Sequence, residues 1–129
     1  MPAKKIMIVD DSATDRQFFV DALTRAGYEV VTAQNGEEGV YKSRIEQPDL
    51  ILMDIVMPGM DGYKATRTIV RDEATKHIPV IICTSRNQDT DRLWGMRQGA
   101  KDFVVKPVKE KDLLAKVEGA TQQPASKVA

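Results

Sequence analysis

Four apolar runs in this chain end on a polar residue of a kind that does chemistry. Asp10 and Asp11 follow Ile6-Met7-Ile8-Val9, Asp54 follows Leu50-Ile51-Leu52-Met53, Thr84 follows Val80-Ile81-Ile82-Cys83, and Lys106 follows Phe103-Val104-Val105. A carboxylate at the end of a buried run is costly unless it finds a partner. Three carboxylates drawn together repel and raise one another's pKa unless a cation joins them. Mg²⁺ suits such a place, because it takes oxygen ligands from one or two carboxylates and keeps several waters, whereas Ca²⁺ asks for six to eight ligands. The candidate set holds no His and no second Cys, which argues against Zn²⁺. A metal, an ammonium and a hydroxyl around one carboxylate are the parts that stabilise a phosphoryl group in flight, with the carboxylate as nucleophile. Asp54, on what reads as the central strand, is the candidate nucleophile.

The elements that must position these groups follow from the hydrophobic pattern. Residues 4–9 read as a first strand, after which Ser12 and Asp15 form a plausible capping box for a helix with Phe19, Ala22, Leu23 and Ala26 on one face, stopped by Gly27. Residues 28–33 form a second strand, and Asn35 with Glu38 opens a helix that ends before Pro48. The third strand is the run ending at Asp54, followed by the turn-rich Met57-Pro58-Gly59-Met60-Asp61-Gly62 and a helix face of Gly62, Ala65, Thr66 and Ile69. The charged segment 72–77 reads as a solvated connection. Residues 79–84 give a fourth strand, then Asp89 or Thr90 caps a short helix through Leu93, Trp94 and Met96 that Gly99 closes. Residues 103–106 give a fifth strand, and Leu113, Leu114 and Val117 face the core from a last helix. The residues from Thr121 to the end show no apolar period and read as a frayed tail, leaving one domain over residues 1–120.

Five strands alternating with five helices predict an α/β fold, an open five-stranded parallel sheet covered on both faces. Right-handed crossovers make 2-1-3-4-5 the expected order at this size, the flavodoxin-like doubly wound arrangement. Ligands bind such sheets at the carboxyl ends of the strands, beside the switch point between strands one and three. Asp10, Asp11, Asp54, Thr84 and Lys106 all fall there. Singly, each has a plain structural explanation: an Asp at a strand end is often a turn former or a cap, and a Lys before Pro is often an exposed charge. Five such residues on four strands, all at the binding end, favour a site.

Composition narrows the class. The 129 residues carry 19 basic and 19 acidic groups, so a formal net charge of zero gives no electrostatic case for nucleic acid or an anionic membrane as partner. The single cysteine, Cys83, lies in an apolar run and reads as a buried thiol. No apolar run reaches the length of a membrane span, and the N-terminus lacks a signal-peptide core, so the expectation is a cytoplasmic protein. Trp94 and the methionines read as packing residues, and His77 as a solvated loop residue.

Asp10-Asp11, Asp54, Thr84, Lys106-Pro107 and the loop from Met57 to Gly62 resemble the receiver domains of bacterial two-component response regulators, over about residues 4 to 120. The resemblance implies Asp54 as phosphoacceptor, Asp11 as a direct Mg²⁺ ligand, Asp10 as a ligand through water and the Val56 carbonyl as a further ligand. It also implies Thr84 and Phe103 as the switch pair, Lys106 as a partner of the phosphoryl group, and a cis bond between Lys106 and Pro107. A histidine kinase would be the donor. A protein target would dock on the face made by the fourth helix, fifth strand and fifth helix, and the chain would be a monomer. Two departures from the common pattern matter. Phe103 stands where the family often has Tyr, and Val56 and Arg86 occupy places that tune the phosphate's lifetime. The segment from Asp91 to Ala100 looks like that of stand-alone regulators in chemotaxis-like systems controlling type IV pili and twitching motility.

Other functions fit less well. An aspartyl-nucleophile phosphohydrolase usually carries a second Asp two residues after the first, and Val56 stands there, so no enzyme beyond self-phosphorylation and autodephosphorylation is expected. A phosphate sink for a shared kinase uses the same residues as an output regulator, and the sequence leaves that choice open. A scaffold that never takes phosphate would have no use for the full set of acids, hydroxyl and lysine.

Overall fold

A computed structural model describes residues 4–121. Its elements alternate strictly: β1 (Lys5–Val9), α1 (Ala13–Arg25), β2 (Glu29–Ala33), α2 (Gly36–Glu46), β3 (Leu50–Met53), α3 (Gly62–Arg71), β4 (Val80–Thr84), α4 (Asp89–Arg97), β5 (Asp102–Val105) and α5 (Glu110–Thr121). The five strands form one parallel sheet in the order β2-β1-β3-β4-β5, as the right-handed-crossover argument requires. Among the described residues, no helix is long and apolar enough to cross a membrane.

The strands bury both faces, and their alternation builds two cores. Ile6, Ile8, Leu50, Leu52, Ile81 and Cys83 point one way and meet Phe19, Ala22 and Leu23 of α1 with Leu113 and Val117 of α5. Met7, Val9, Ile51, Met53 and Val80 point the other way and meet Ala65 and Ile69 of α3. Each fully buried aliphatic side chain contributes about 1.5–3 kcal/mol of transfer free energy. A third cluster, Ile55, Ile82, Ala100 and Phe103, lies under α4. Cys83 is buried, and burial pushes its thiol up to about 12.

Two of the predicted caps are present, with Ser12 accepting from the Asp15 amide and Asn35 from the Glu38 amide, although Ser12 N donates to Asp10 Oδ1 and so leaves the expected Ser12–Asp15 capping box half formed. Asp61, not singled out in the sequence, caps α3 by accepting from the Lys64 amide. Four expectations need correction. Ala26 is exposed as the C-cap of α1, one residue before Gly27 reverses the chain with a φ of 95°. The segment 72–77 is not wholly solvated, because Thr75 is buried with its hydroxyl donating to the Ile69 carbonyl at 2.7 Å. Thr121 belongs to α5, since it extends the stripe of Leu113 and Val117 and satisfies its buried hydroxyl on the Val117 carbonyl at 2.9 Å. The remainder of the expected tail, 122–129, lies outside the described residues.

The fourth correction concerns α4. Its cap is Gln88, and its buried residues are Asp91 and Gly95, while Leu93, Trp94 and Met96 face outward at 55, 49 and 37 % exposure. The packing face is small and polar because the helix sits close on the sheet. A Cβ on Gly95 would lie 2.7 Å from Ile82 Cδ1 and 3.2 Å from Phe103 Cδ2. A reading that follows apolar periodicity therefore picks the wrong face.

Candidate functional site

The carboxyl ends of β1, β3 and β5 converge on one crevice. β1 hands over to Asp10, whose amide still donates to Ala33 O of β2 at 3.1 Å and whose Oδ1 turns back to accept from Ser12 N at 2.9 Å. β3 hands over to Asp54, whose amide continues the ladder onto Val9 O at 2.9 Å and whose Oδ1 accepts from Ile55 N at 2.7 Å. These bonds leave each acid one oxygen for the crevice. The loop after Asp54 folds back closely, with Gly62 N on Ile55 O at 3.0 Å. Gly62 has to be glycine, since a Cβ there would stand 1.9 Å from the Asp54 carbonyl oxygen.

Carboxylate oxygens of Asp10, Asp11 and Asp54 lie within 4.8 Å of one another. Asp10 and Asp54 are almost fully buried, and Asp11 is exposed at the mouth. That spacing and donor set fit a small divalent cation that keeps part of its water shell. The ammonium of Lys106 lies against the same acids, donating to Asp10 Oδ2 at 2.7 Å, Asp15 Oδ2 at 2.8 Å and Asp54 Oδ2 at 3.2 Å. It also sits 5.9 Å from the Phe19 ring centroid. β5 holds it there through Lys106 N on Thr84 O at 2.8 Å, and the Lys106-Pro107 bond is cis, as the resemblance implies.

Charge is not balanced here by geometry alone. Burial pushes the Asp10 carboxyl above its ordinary value, against the pull of Lys106 and the Ser12 amide. Lys106 is also desolvated, yet its bonds to Asp10 and Asp15 and the field of Asp54 hold its pKa well above the usual lysine range. The ammonium is therefore a permanent charge in the site. An acidic cluster with one buried carboxylate still short of cations is a place for a metal.

The β4 side is built differently. Thr84 is fully buried at the end of its strand, and its Oγ1 accepts from Arg86 N at 3.4 Å. Phe103 is 4 % exposed and packs against Ile55, Ile82 and Ala100, with Tyr63 beside it. The Arg86 guanidinium turns to Asp91 at 3.1 Å; Asp91 also accepts from Tyr63 Oη at 3.1 Å and from Gln88 N at 3.3 Å. Burial and Asp91 raise the Tyr63 hydroxyl to about 12, so it stays a donor. Val56, two residues past Asp54, carries an exposed side chain. His77 is exposed in the loop before β4, as expected.

The sequence profile described as "Response regulator receiver domain" matches residues 6–118. The chain belongs to the response regulator receiver domains. Protein PilH of Pseudomonas aeruginosa is 50% identical to this receiver over 110 residues, 85% of this chain and 91% of PilH. The chemotaxis protein CheY4 of Vibrio cholerae superposes with a TM-score of 0.87 at 30% identity, covering 92% of this chain and 99% of CheY4. The receiver domain of sensor histidine kinase PA1611 from Pseudomonas aeruginosa, described with a magnesium ion coordinated in the active site cleft, superposes with a TM-score of 0.88 at 28% identity, covering 95% and 100%. Other, longer relatives are matched over 26 to 54% of their length.

The structure thus gathers Asp10, Asp11, Asp54 and Lys106, and sets Thr84 and Phe103 on adjacent strands in the same receiver. Sequence reasoning missed Asp15, assigned to a cap, and missed the Tyr63-Asp91-Arg86 network. An acid in the first helical turn after an acid pair was the available signal for the first. For the second, Asp91 three residues after the Gln88 cap was the only one.

Proposed function

We propose that this receiver is a phosphorylation-controlled interaction module. Asp54 accepts a phosphoryl group from a histidine kinase in a Mg²⁺-dependent reaction, and the state of the site changes the affinity of a remote face for a protein target. The observation that carries this reading is Asp54 itself, a nearly buried carboxylate clustered with two other acids and 3.2 Å from a permanently charged lysine.

Asp10, Asp11 and Asp54 would hold the metal, Asp11 directly and Asp10 through water, with the Val56 carbonyl beside them. When bound, Mg²⁺ supplies charge neutralisation at the phosphoryl oxygens. The remaining work falls to the chain. Asp54 Oδ2 is the nucleophilic oxygen, since Ile55 N holds the other at 2.7 Å and Oδ2 carries the longer bond from Lys106 at 3.2 Å. Lys106 neutralises a second phosphoryl oxygen, and the Thr84 hydroxyl exchanges its long bond to Arg86 N for a third. Drawing Thr84 in frees space beside Phe103, which packs directly under Gly95 of α4, so the movement reaches α4 and β5.

That face is suited to docking. Leu93, Trp94 and Met96 of α4 and Val105 of β5 are exposed apolar residues on it. Similarity to PilH over most of that protein's length supports a place in a chemotaxis-like or type IV pilus pathway. We place the protein in the cytoplasm as a monomer, without turnover of an external substrate.

Incubation with Mg²⁺ and acetyl phosphate, followed by intact-mass measurement, tests the assignment. The wild type gains one phosphoryl group and Asp54→Asn gains none. Equal uptake by both proteins, or no uptake by either with small donors and with a cognate kinase, overturns it.

A further inference from the structure

Lys106 has one partner more than phosphoryl transfer to Asp54 requires. Asp15, in the first turn of α1, takes the ammonium at 2.8 Å, close to the 2.7 Å bond to Asp10 and shorter than that to Asp54 at 3.2 Å. Asp15 makes no other side-chain hydrogen bond or ion pair among the described residues; the Ser12 hydroxyl binds its amide. Asp15 also lines a cavity of about 440 Å³ beside Lys106, walled by Phe18, Phe19, Pro107 and Val108 with Ser85. A donor approaching Lys106 through this opening passes Asp15.

Resting on Asp54 as the phosphoacceptor, we propose that Asp15 governs which phosphoryl donors the site accepts, disfavouring small dianionic phosphodonors by holding Lys106 on the α1 side and by adding a negative charge to the entrance. With a divalent ion bound, four carboxylates, one ammonium and the metal leave the site one negative charge in excess. Without Asp15 that excess is gone, and Lys106 is shared between Asp10, Asp54 and the incoming phosphoryl oxygens alone. A unit charge a few ångströms from the entering group, in the partly screened setting of a crevice mouth, changes a rate by about 3- to 10-fold. A donor carried on a protein, by contrast, can fill the apolar walls of the opening and hold its phosphoryl group in place by that contact, so its rate depends less on the field at the entrance.

In the reaction the donor's bond from phosphorus to its leaving group breaks as the bond to Asp54 Oδ2 forms. Acetyl phosphate releases acetate, which keeps the electron pair. Phosphoramidate, with its nitrogen protonated, releases ammonia. Both are small, but acetyl phosphate is a dianion near neutral pH, whereas phosphoramidate is a zwitterion with a smaller net charge. The charge effect of Asp15 is therefore larger on acetyl phosphate.

The test compares phosphorylation rates of the wild type, Asp15→Asn and Asp15→Glu with both donors in saturating Mg²⁺, with Asp54→Asn as control and circular dichroism melting to check folding. Asp15→Asn should react about 3- to 10-fold faster with acetyl phosphate and gain less with phosphoramidate, while Asp15→Glu restores the wild-type ratio of the two rates. Beryllofluoride, titrated as an anionic phosphoryl analogue and read by the fluorescence of the single Trp94, should bind Asp15→Asn more tightly by a similar factor. Unchanged or slower acetyl phosphate rates in Asp15→Asn, or equal acceleration with both donors, overturn the proposal. Should Asp15→Asn not fold, Asp15→Ser takes its place with the same outcomes. Uptake of phosphate by Asp54→Asn would instead overturn the assignment of Asp54, whatever Asp15 does.

Discussion

The two sides of the crevice manage charge in opposite ways. On the β1–β3 side, Asp10, Asp11 and Asp54 crowd together and lean on one ammonium, which a fourth acid shares. On the β4–α4 side, Asp91 is just as buried, yet it is saturated by the Tyr63 hydroxyl, the Arg86 guanidinium and the Gln88 amide. The first arrangement is short of positive charge, which is what the proposed binding of a cation and a phosphoryl group would draw on. The second is complete, and it fastens α3 and the β4–α4 connection to α4. On the proposed reading the first side changes its occupant, and the second, beyond Thr84, passes the change on to α4.

Three substitutions sharpen that contrast, and the largest effect is expected at Lys106. Removing the ammonium in Lys106→Ala leaves nearly buried carboxylates without their cation and should cost about 2–4 kcal/mol in urea unfolding without divalent ions. Added Mg²⁺ should return more stability to this variant than to the wild type. Equal urea midpoints for the two proteins in metal-free buffer would show that the acid side is not short of charge.

On the other side, Tyr63→Phe removes one of three donors to Asp91 and should cost about 1 kcal/mol, with no dependence on Mg²⁺. A Mg²⁺-dependent loss there would break the distinction between the two regions. The smallest effect concerns Asp102, at the far end of β5. Burial works against its charge, but Lys116 at 2.7 Å and the Phe103 amide at 2.8 Å hold its carboxyl below the ordinary value of 3.8. A group lowered in the folded state stabilises above its unfolded pKa and loses that contribution as the pH falls through the folded one. The advantage of wild type over Asp102→Asn should be about 0.5–1 kcal/mol at pH 7 and fade below pH 3.8, as pH-dependent melting would show.

These regions were not equally legible in the sequence. The acid side was readable because a parallel sheet announces its strands as apolar runs, so a polar residue at each end is conspicuous and the strand order brings Asp10, Asp54 and Lys106 together. Asp15 was hidden because an acid in a first helical turn has an ordinary explanation in capping and the helix dipole. The β4–α4 side was misread where close packing overrode periodicity. Gly95 faces the sheet, where a larger residue would strike Ile82, Asp91 is buried against Tyr63 and Arg86, and the apolar residues of α4 are left outside. Thr121 was missed because a buried hydroxyl that bonds back to Val117 looks, in sequence, like the start of a polar tail.

The central claim is that one carboxylate, Asp54, takes the phosphoryl group. An aspartyl phosphate is an acyl phosphate and is reduced by borohydride, which marks the side chain that carried it. After reaction with acetyl phosphate and Mg²⁺, borohydride treatment and peptide mass spectrometry should find the reduced side chain at Asp54 alone, and prior removal of Mg²⁺ with a chelator should abolish the mark. A mark on Asp10 or Asp11, or labelling at Asp54 that persists without a divalent cation, would contradict the account.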